Sequence, residues 1–216
     1  MNFFIIGDVH GCLYTLEEML KYWNAESEYL VFVGDLIDRG NYSFRVVKKC
    51  MQLQELYPHC IIIKGNHESE FIEHCDKGPN LNWIRQCGDK TLEDFNKHHA
   101  DHEQIRNWFA ALPLKFETEN IMITHAGITE TEDPYKEDSE DSVLWNRKEL
   151  KNIHQLQIHG HTPLKQKKPL FDEKSNSVNI DTGAVYGYGL TGLKISKEAR
   201  VIDIITIPTD ARDTVI

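Results

Sequence analysis

Three times in its first third the chain repeats one order: an apolar run, a polar loop bounded by glycine, then a segment with helical spacing. The first round is residues 3–6, Gly7-Asp8-Val9-His10-Gly11, and Leu13, Leu16, Met19, Leu20 and Trp23 on one helical face. In the second, residues 29–33 lead into Gly34-Asp35-Leu36-Ile37-Asp38-Arg39-Gly40. Phe44, Val46, Val47, Met51, Leu53 and Leu56 then mark a helix that Pro58 stops. The third is residues 60–63, Gly65-Asn66-His67-Glu68, and a helix expected to start near Ser69. Strands alternating with helices predict parallel pairing through right-handed crossovers. All three loops must then gather along one sheet edge, past the strands' C-terminal ends, where open α/β sheets bind ligands.

The second loop is the most demanding. Two carboxylates and a guanidinium at the tip of a buried strand have no structural use, and uncompensated charge there is costly. A metal and a phosphate would compensate both signs.

The later chain supplies partners. Residues 120–124 read as a strand before His125-Ala126-Gly127, and residues 156–158 as a strand before His159-Gly160-His161-Thr162-Pro163. Residues 177–180 lead into Asp181-Thr182-Gly183. Between about 78 and 112 no strand is evident, and helices are expected around 91–95 and 103–112. This stretch reads as a helical insertion that either selects substrate or forms a supporting layer. Residues 193–195 and 201–205 predict a closing antiparallel hairpin, and a frayed tail is expected beyond Pro208. The acidic stretch 130–141 and the lysines 165, 167 and 168 read as solvated. A single domain over residues 1–216 accounts for the pattern.

The strand tips collect Asp8, His10, Asp35, Asp38, Arg39, Asn66, His67, His125 and His161. Carboxylate, imidazole and amide oxygen without thiolate suit Mn²⁺, Fe or Zn²⁺. One metal would leave ligands over; two would use them all and clamp both oxygens of an in-line displacement. One carboxylate must then bridge, and Asp35 stands at the centre. His159 and His161 lie on one face of a strand, so either could be the ligand. His98, His99 and His102 fall in a polar segment and read as a solvated helix face. The five cysteines show no CxxC spacing and read as buried apolar residues of a reducing, cytoplasmic compartment. With a formal net charge of -10, the chain is a poor partner for a nucleic-acid polymer or an anionic membrane, and it has no apolar run of spanning length.

The loops beginning at Gly7, Gly34 and Gly65 resemble the three signature motifs of the PPP family of metallophosphatases, and His125-Ala126-Gly127 and Gly160-His161 match its later metal-binding histidines. The resemblance spans roughly residues 3–189. It implies an α/β fold of two packed mixed β-sheets flanked by helices. It implies two divalent metals, Mn²⁺ first, with Fe or Zn²⁺ as alternatives. Asp8 and His10 would hold one, Asp35 would bridge, and Asn66, His125 and His161 would complete the other. A hydroxide between the metals would attack phosphorus directly. His67 would be the general acid, oriented by Asp38. Arg39 would bind phosphate oxygens. Arg147 of Leu144-Trp145-Asn146-Arg147, which resembles a bacterial Leu-Trp-x-Arg segment, would be the second phosphate arginine.

For the substrate, the length and compact insertion resemble small phage and bacterial phosphoprotein phosphatases. The leading expectation is therefore hydrolysis of phosphoserine and phosphothreonine, with phosphotyrosine as a further option. The alternative is a dinucleoside polyphosphate hydrolase acting on Ap4A-like molecules, for which Tyr186, Tyr188 and Trp83 could stack a base. Tyr188 stands where bacterial members of the family often have a small residue.

Overall fold

The computed structural model describes residues 1–214. The first three rounds form as expected: β1 (Asn2–Ile6), α1 (Leu13–Leu20), β2 (Glu28–Phe32), α2 (Ser43–Leu56), β3 (Cys60–Ile62) and α3 (Asn66–Lys77). β1 pairs parallel with β2, and β2 with β3, so the three loops do share one sheet edge. The third helix begins earlier than expected, which puts Asn66 and His67 in its first turn.

After α3 the chain is helical: α4 (Leu81–Trp83), a π-turn at Ile84–Gly88, α5 (Asp89–Lys97) and α6 (His102–Ala111). A second sheet follows, from β4 (Lys115–Glu117), β5 (Ile121–Thr124), β6 (Leu156–His159), β7 (Leu170–Asp172) and β8 (Ser177–Asn179), in the order β4-β5-β6-β8-β7. The chain then returns to the first sheet. β9 (Leu190–Ile195) and β10 (Val201–Ile207) make the closing hairpin, and β9 pairs antiparallel with β1. The first sheet is thus β10-β9-β1-β2-β3, and both sheets are mixed. β4 and β7 were not evident from sequence.

Strand alternation divides the core in two. Phe3, Ile5, Val31, Val33 and Ile63 of the first sheet pack with Ile121, Ile123, Ile158, Val178 and Ile180 of the second. Their neighbours Phe4, Ile6, Leu30, Phe32 and Ile62 face the other way and meet Leu13, Leu16, Met19, Val46 and Val47 of the helices. Successive residues point to opposite faces, and here both faces are covered. The helical insertion extends the second layer. Phe71 meets Trp83, Phe95 and Phe109 at ring-centroid distances of 5.9, 5.5 and 5.7 Å. Such edge-on aromatic packing is favourable beyond area alone.

The expectation of a frayed tail beyond Pro208 fails for residues 209–214; residues 215 and 216 lie outside the described residues. Asp213 is fully buried, and its carboxylate accepts from the Tyr14 and Thr15 amides at 2.9 and 2.8 Å and from Thr15 Oγ1 at 2.6 Å. It caps α1, whose own N-cap, Cys12, makes no side-chain cap bond. The Asp213 carbonyl accepts from the Asn41 amide at 2.9 Å, tying the tail to the end of the second loop. Caps of this kind contribute about 1 kcal/mol, and stranded buried donors add to the loss. Asp213→Ala should therefore lower stability by about 2 kcal/mol. Chemical denaturation measures this, and an unchanged midpoint would show that the tail rests on α1 without supporting it.

Candidate active site

The loops that gather at the sheet edges hold several of their polar residues in unusual backbone. His10, Asp35, Asp38, Arg39 and His161 all have positive φ, at 45°, 51°, 76°, 68° and 71°. Such conformations are uncommon outside glycine, and they persist where the surroundings over-determine them. Two glycines make room. At Gly34 (φ 109°) a Cβ would lie 2.7 Å from the Gly65 nitrogen, and at Gly160 it would collide with Asp8 Oδ1. The first two strand-tip loops are also hydrogen-bonded together, since the Asp35 carbonyl accepts from the His10 amide at 2.8 Å.

Asp35 lies at the centre. Its Oδ2 is 3.5 Å from His10 Nε2 and 3.8 Å from His67 Nε2, and its Oδ1 is 3.3 Å from His125 Nε2. Asn66 Oδ1 sits 2.9 Å from both His125 Nε2 and His161 Nδ1, and those two nitrogens are 3.1 Å apart. Tautomers follow from the outer partners. The carbonyl of Val33 can only accept, so His125 Nδ1 carries the proton at 2.9 Å; the Ile37 carbonyl does the same for His10 Nδ1 at 2.8 Å. In the neutral rings, both Nε2 atoms then present lone pairs toward Asp35 and, for His125, toward Asn66 Oδ1. Burial favours neutrality: it pushes His10 well below the ordinary histidine value, lowers His125, and takes His161 down to about 2.

Lone pairs converging on one point repel unless a cation stands between them. Two other buried atoms, Asp8 Oδ1 and His161 Nε2, have no hydrogen-bond partner. The donor set thus fits divalent cations. His10, Asp35 and His67 form one group with candidate ligand atoms mutually within 4.8 Å, and Asp35, His125 and His161 form another. Asp35 belongs to both. His67 falls within the first group by distance, but despite burial the Asp35 charge and the Asp38 bond raise it well above the ordinary histidine value, which suits a proton donor better than a ligand. Asp8 lies just behind, its Oδ2 accepting from the His161 amide at 3.0 Å. Its carboxyl is raised by burial and by the charges of Asp181 and Asp35, a cost that a cation would relieve.

His67 is held from behind. Its Nδ1 donates to Asp38 Oδ2 at 2.5 Å, leaving Nε2 turned toward Asp35. Asp38 is itself fully buried and saturated. Trp83 Nε1 donates to its Oδ2 at 2.6 Å and Thr91 Oγ1 to its Oδ1 at 2.5 Å. The helical insertion therefore reaches the site from beneath. Trp83 is fully buried, so it cannot serve as a base-stacking surface, which corrects that part of the sequence reading.

Arg39 Nη1 contacts His10 Nε2, and its guanidinium carbon lies 6.0 Å from the ring centroid of Tyr186. Arg147 is exposed and donates to Thr162 Oγ1 at 3.3 Å, beside His161. His159 points elsewhere: its Nδ1 bonds the Gly160 carbonyl at 3.2 Å. The turn at His161 removes it from the strand face the two histidines would otherwise share. His98 stacks on Phe44 at 4.9 Å and pairs with Asp94, and neither it, His99 nor His102 enters a candidate metal group among the described residues. The acidic stretch is less free than expected, because Glu137 pairs with the buried Lys64 at 3.1 Å.

Sequence reasoning assigned no role to Glu68. It is fully buried, and its two oxygens accept from the amides of Asp35, Leu36 and Gly65 at 2.9, 2.8 and 2.8 Å. Burial and the charge of Asp35 push its carboxyl up to about 7 despite those bonds. Its place three residues after Gly65, at the head of a helix, was the available signal.

Fold and site together define a metal-dependent phosphoesterase. The family model described as calcineurin-like phosphoesterase matches residues 1–190, and the chain belongs to that family. A protein of Halalkalibacterium halodurans named bis(5'-nucleosyl)-tetraphosphatase PrpE [asymmetrical] is 27% identical, over 97% of this chain and 94% of its own. A Bacillus cereus protein of the same name is 28% identical over 97% and 95%. A solved structure described as a candidate diadenosine tetraphosphatase superposes with a TM-score of 0.70 at 21% identity, covering 97% of this chain and 94% of its own. These findings overturn the expectation of a phosphoserine and phosphothreonine phosphatase. That expectation leaned on chain length and the compact insertion, and length does not discriminate, since the tetraphosphatase-named relative is matched over 94% of its own chain. Among the described residues no helix is long and apolar enough to cross a membrane.

Two predictions follow from this geometry. Glu68→Gln turns an amide NH₂ toward backbone donors; it should cost about 2 kcal/mol in denaturation and weaken Mn²⁺ binding, because two loops lose one anchor. A variant with wild-type stability and affinity would contradict that linkage. Asp35→Asn should retain fewer Mn²⁺ ions per chain than wild type after desalting, as read by elemental analysis. Equal stoichiometry would refute a shared ligand.

Proposed function

We propose that the protein is a dinucleoside polyphosphate hydrolase, cleaving Ap4A-like molecules at a site for two divalent cations, with Mn²⁺ the first candidate. What carries the reading is the similarity, over 97% of the chain, to proteins named bis(5'-nucleosyl)-tetraphosphatase. The three glycine-bounded loops support a reading of the chain as a PPP-type member of its family.

In this reading Asp8, His10, Asp35, Asn66, His125 and His161 would hold the cations. When bound, the cations would neutralise charge on the phosphate oxygens and supply water acidified enough to attack at neutral pH. The protein's own groups do the rest. Arg39 and Arg147 would orient the polyphosphate, where a planar guanidinium suits paired phosphate oxygens. His67, fixed by Asp38 at Nδ1, presents Nε2 toward the site and would protonate the departing phosphate oxygen. The Trp83 and Thr91 bonds to Asp38 keep that imidazole from turning.

With Mn²⁺-loaded protein, kcat/KM on Ap4A should greatly exceed that on a phosphoserine peptide. His67→Asn should keep its Mn²⁺ content and lose about 10²-fold in kcat on Ap4A. A preference for the peptide would overturn the substrate class, and an unchanged kcat would remove His67 from proton transfer.

A further inference from the structure

Tyr186 and Tyr188 have no part in the chemistry above, yet they border it. Both are exposed, at 49% and 37%, while the backbone that carries them is fixed. Ala184–Tyr186 is a 3₁₀ turn between Gly183 and Gly187, whose φ values of 79° and 76° favour glycine. Thr209 clasps the loop from both ends: its Oγ1 donates to the Ala184 carbonyl at 2.6 Å and accepts from the Gly189 amide at 3.1 Å. Thr182 Oγ1 donates to the Gly189 carbonyl at 2.8 Å.

The two rings lie 6.3 Å apart between centroids. Arg39 reaches Tyr186 at 6.0 Å from the site side, and Lys167 Nζ lies 4.4 Å from the Tyr188 centroid. Contacts therefore run unbroken from the candidate metal ligands through Arg39 to Tyr186, Tyr188 and Lys167. Scattered exposed aromatics need no explanation. Two on a clasped loop, one of them beside the arginine that would bind phosphate, form a rigid stacking surface at a fixed distance from the chemistry. Rings already held in place lose little entropy on binding a flat partner.

Building on the nucleotide reading, we infer that Tyr186, backed by Tyr188 and Lys167, stacks the nucleobase and so decides which phosphorus is attacked. Because Tyr186 adjoins Arg39, the phosphate bound there is the one attached to the stacked nucleoside, not an inner one. Water adds to that phosphorus, and the bond to the next bridging oxygen breaks. The electron pair leaves with the remaining chain. Ap4A plus water thus yields AMP and ATP, the asymmetrical split that the relatives' name carries, whereas attack at an inner phosphorus would give two ADP; what the loop adds is the residue that sets it.

The test follows product identity and kcat/KM on Ap4A, with p-nitrophenyl phosphate as a baseless reference, in wild type, Tyr186→Ala, Tyr186→Leu and Tyr186→Phe. Wild type should release AMP and ATP. Tyr186→Ala and Tyr186→Leu should lower the ratio of kcat/KM on Ap4A to that on the reference by about tenfold, chiefly through KM, and Tyr186→Phe should retain it. Tyr186→Leu keeps apolar bulk without a ring, so a fall shared by both variants is not a packing defect. An unchanged ratio, or ADP as the main wild-type product, overturns the stacking inference while leaving the nucleotide reading intact. A wild type that turns over the reference and not Ap4A overturns both.

Discussion

The Asp35 carboxylate is the constraint on which the rest of the structure depends. It is buried where a charge should not be, ringed by His10, His67, His125 and His161. Three of those rings, His10, His125 and His67, are tied by their Nδ1 atoms to the Ile37 carbonyl, the Val33 carbonyl and Asp38, so they cannot turn away to avoid it. An arrangement in which acceptors face acceptors is tolerable only if the protein holds it rigid and a cation binds there.

The fold supplies that rigidity. Parallel pairing of β1, β2 and β3 puts three loops on one edge, and packing against the second sheet brings His125 and His161 across from them. Glu68 then binds three amides of two different loops. The insertion adds Trp83 and Thr91 from below, and the C-terminal segment adds Asp213 to α1 and Asn41. Positive φ at five polar site residues is the backbone cost of this convergence, offset by these bonds.

Much of this was legible in the sequence because it is local. A short apolar run followed by a glycine-bounded loop specifies a strand tip, and the residues gathered at the tips are those the structure brings together. What the sequence hid is non-local. Asp213 meets Tyr14 across 199 positions and Thr15 across 198, with no periodicity to announce it. Trp83 reads as an ordinary aromatic until the insertion folds beneath Asp38. β4 and β7 are three residues each, too short for a pattern. His159 looked equivalent to His161 because strand alternation was extended one residue past the point where His161 turns to φ 71°. Substrate class was misjudged for a different reason: chain length and a compact insertion do not say what the phosphate is attached to. On the inference drawn above, that information lies outside the motifs, in the Tyr186 loop.

The central claim is that Asp35 is shared by two cations, and diffraction tests it most directly. Crystals grown with Mn²⁺ would be measured at a wavelength where manganese scatters anomalously. Two peaks about 3.5–4 Å apart, with Asp35 touching both, are predicted. A single peak, or two peaks of which Asp35 contacts one, would contradict the account.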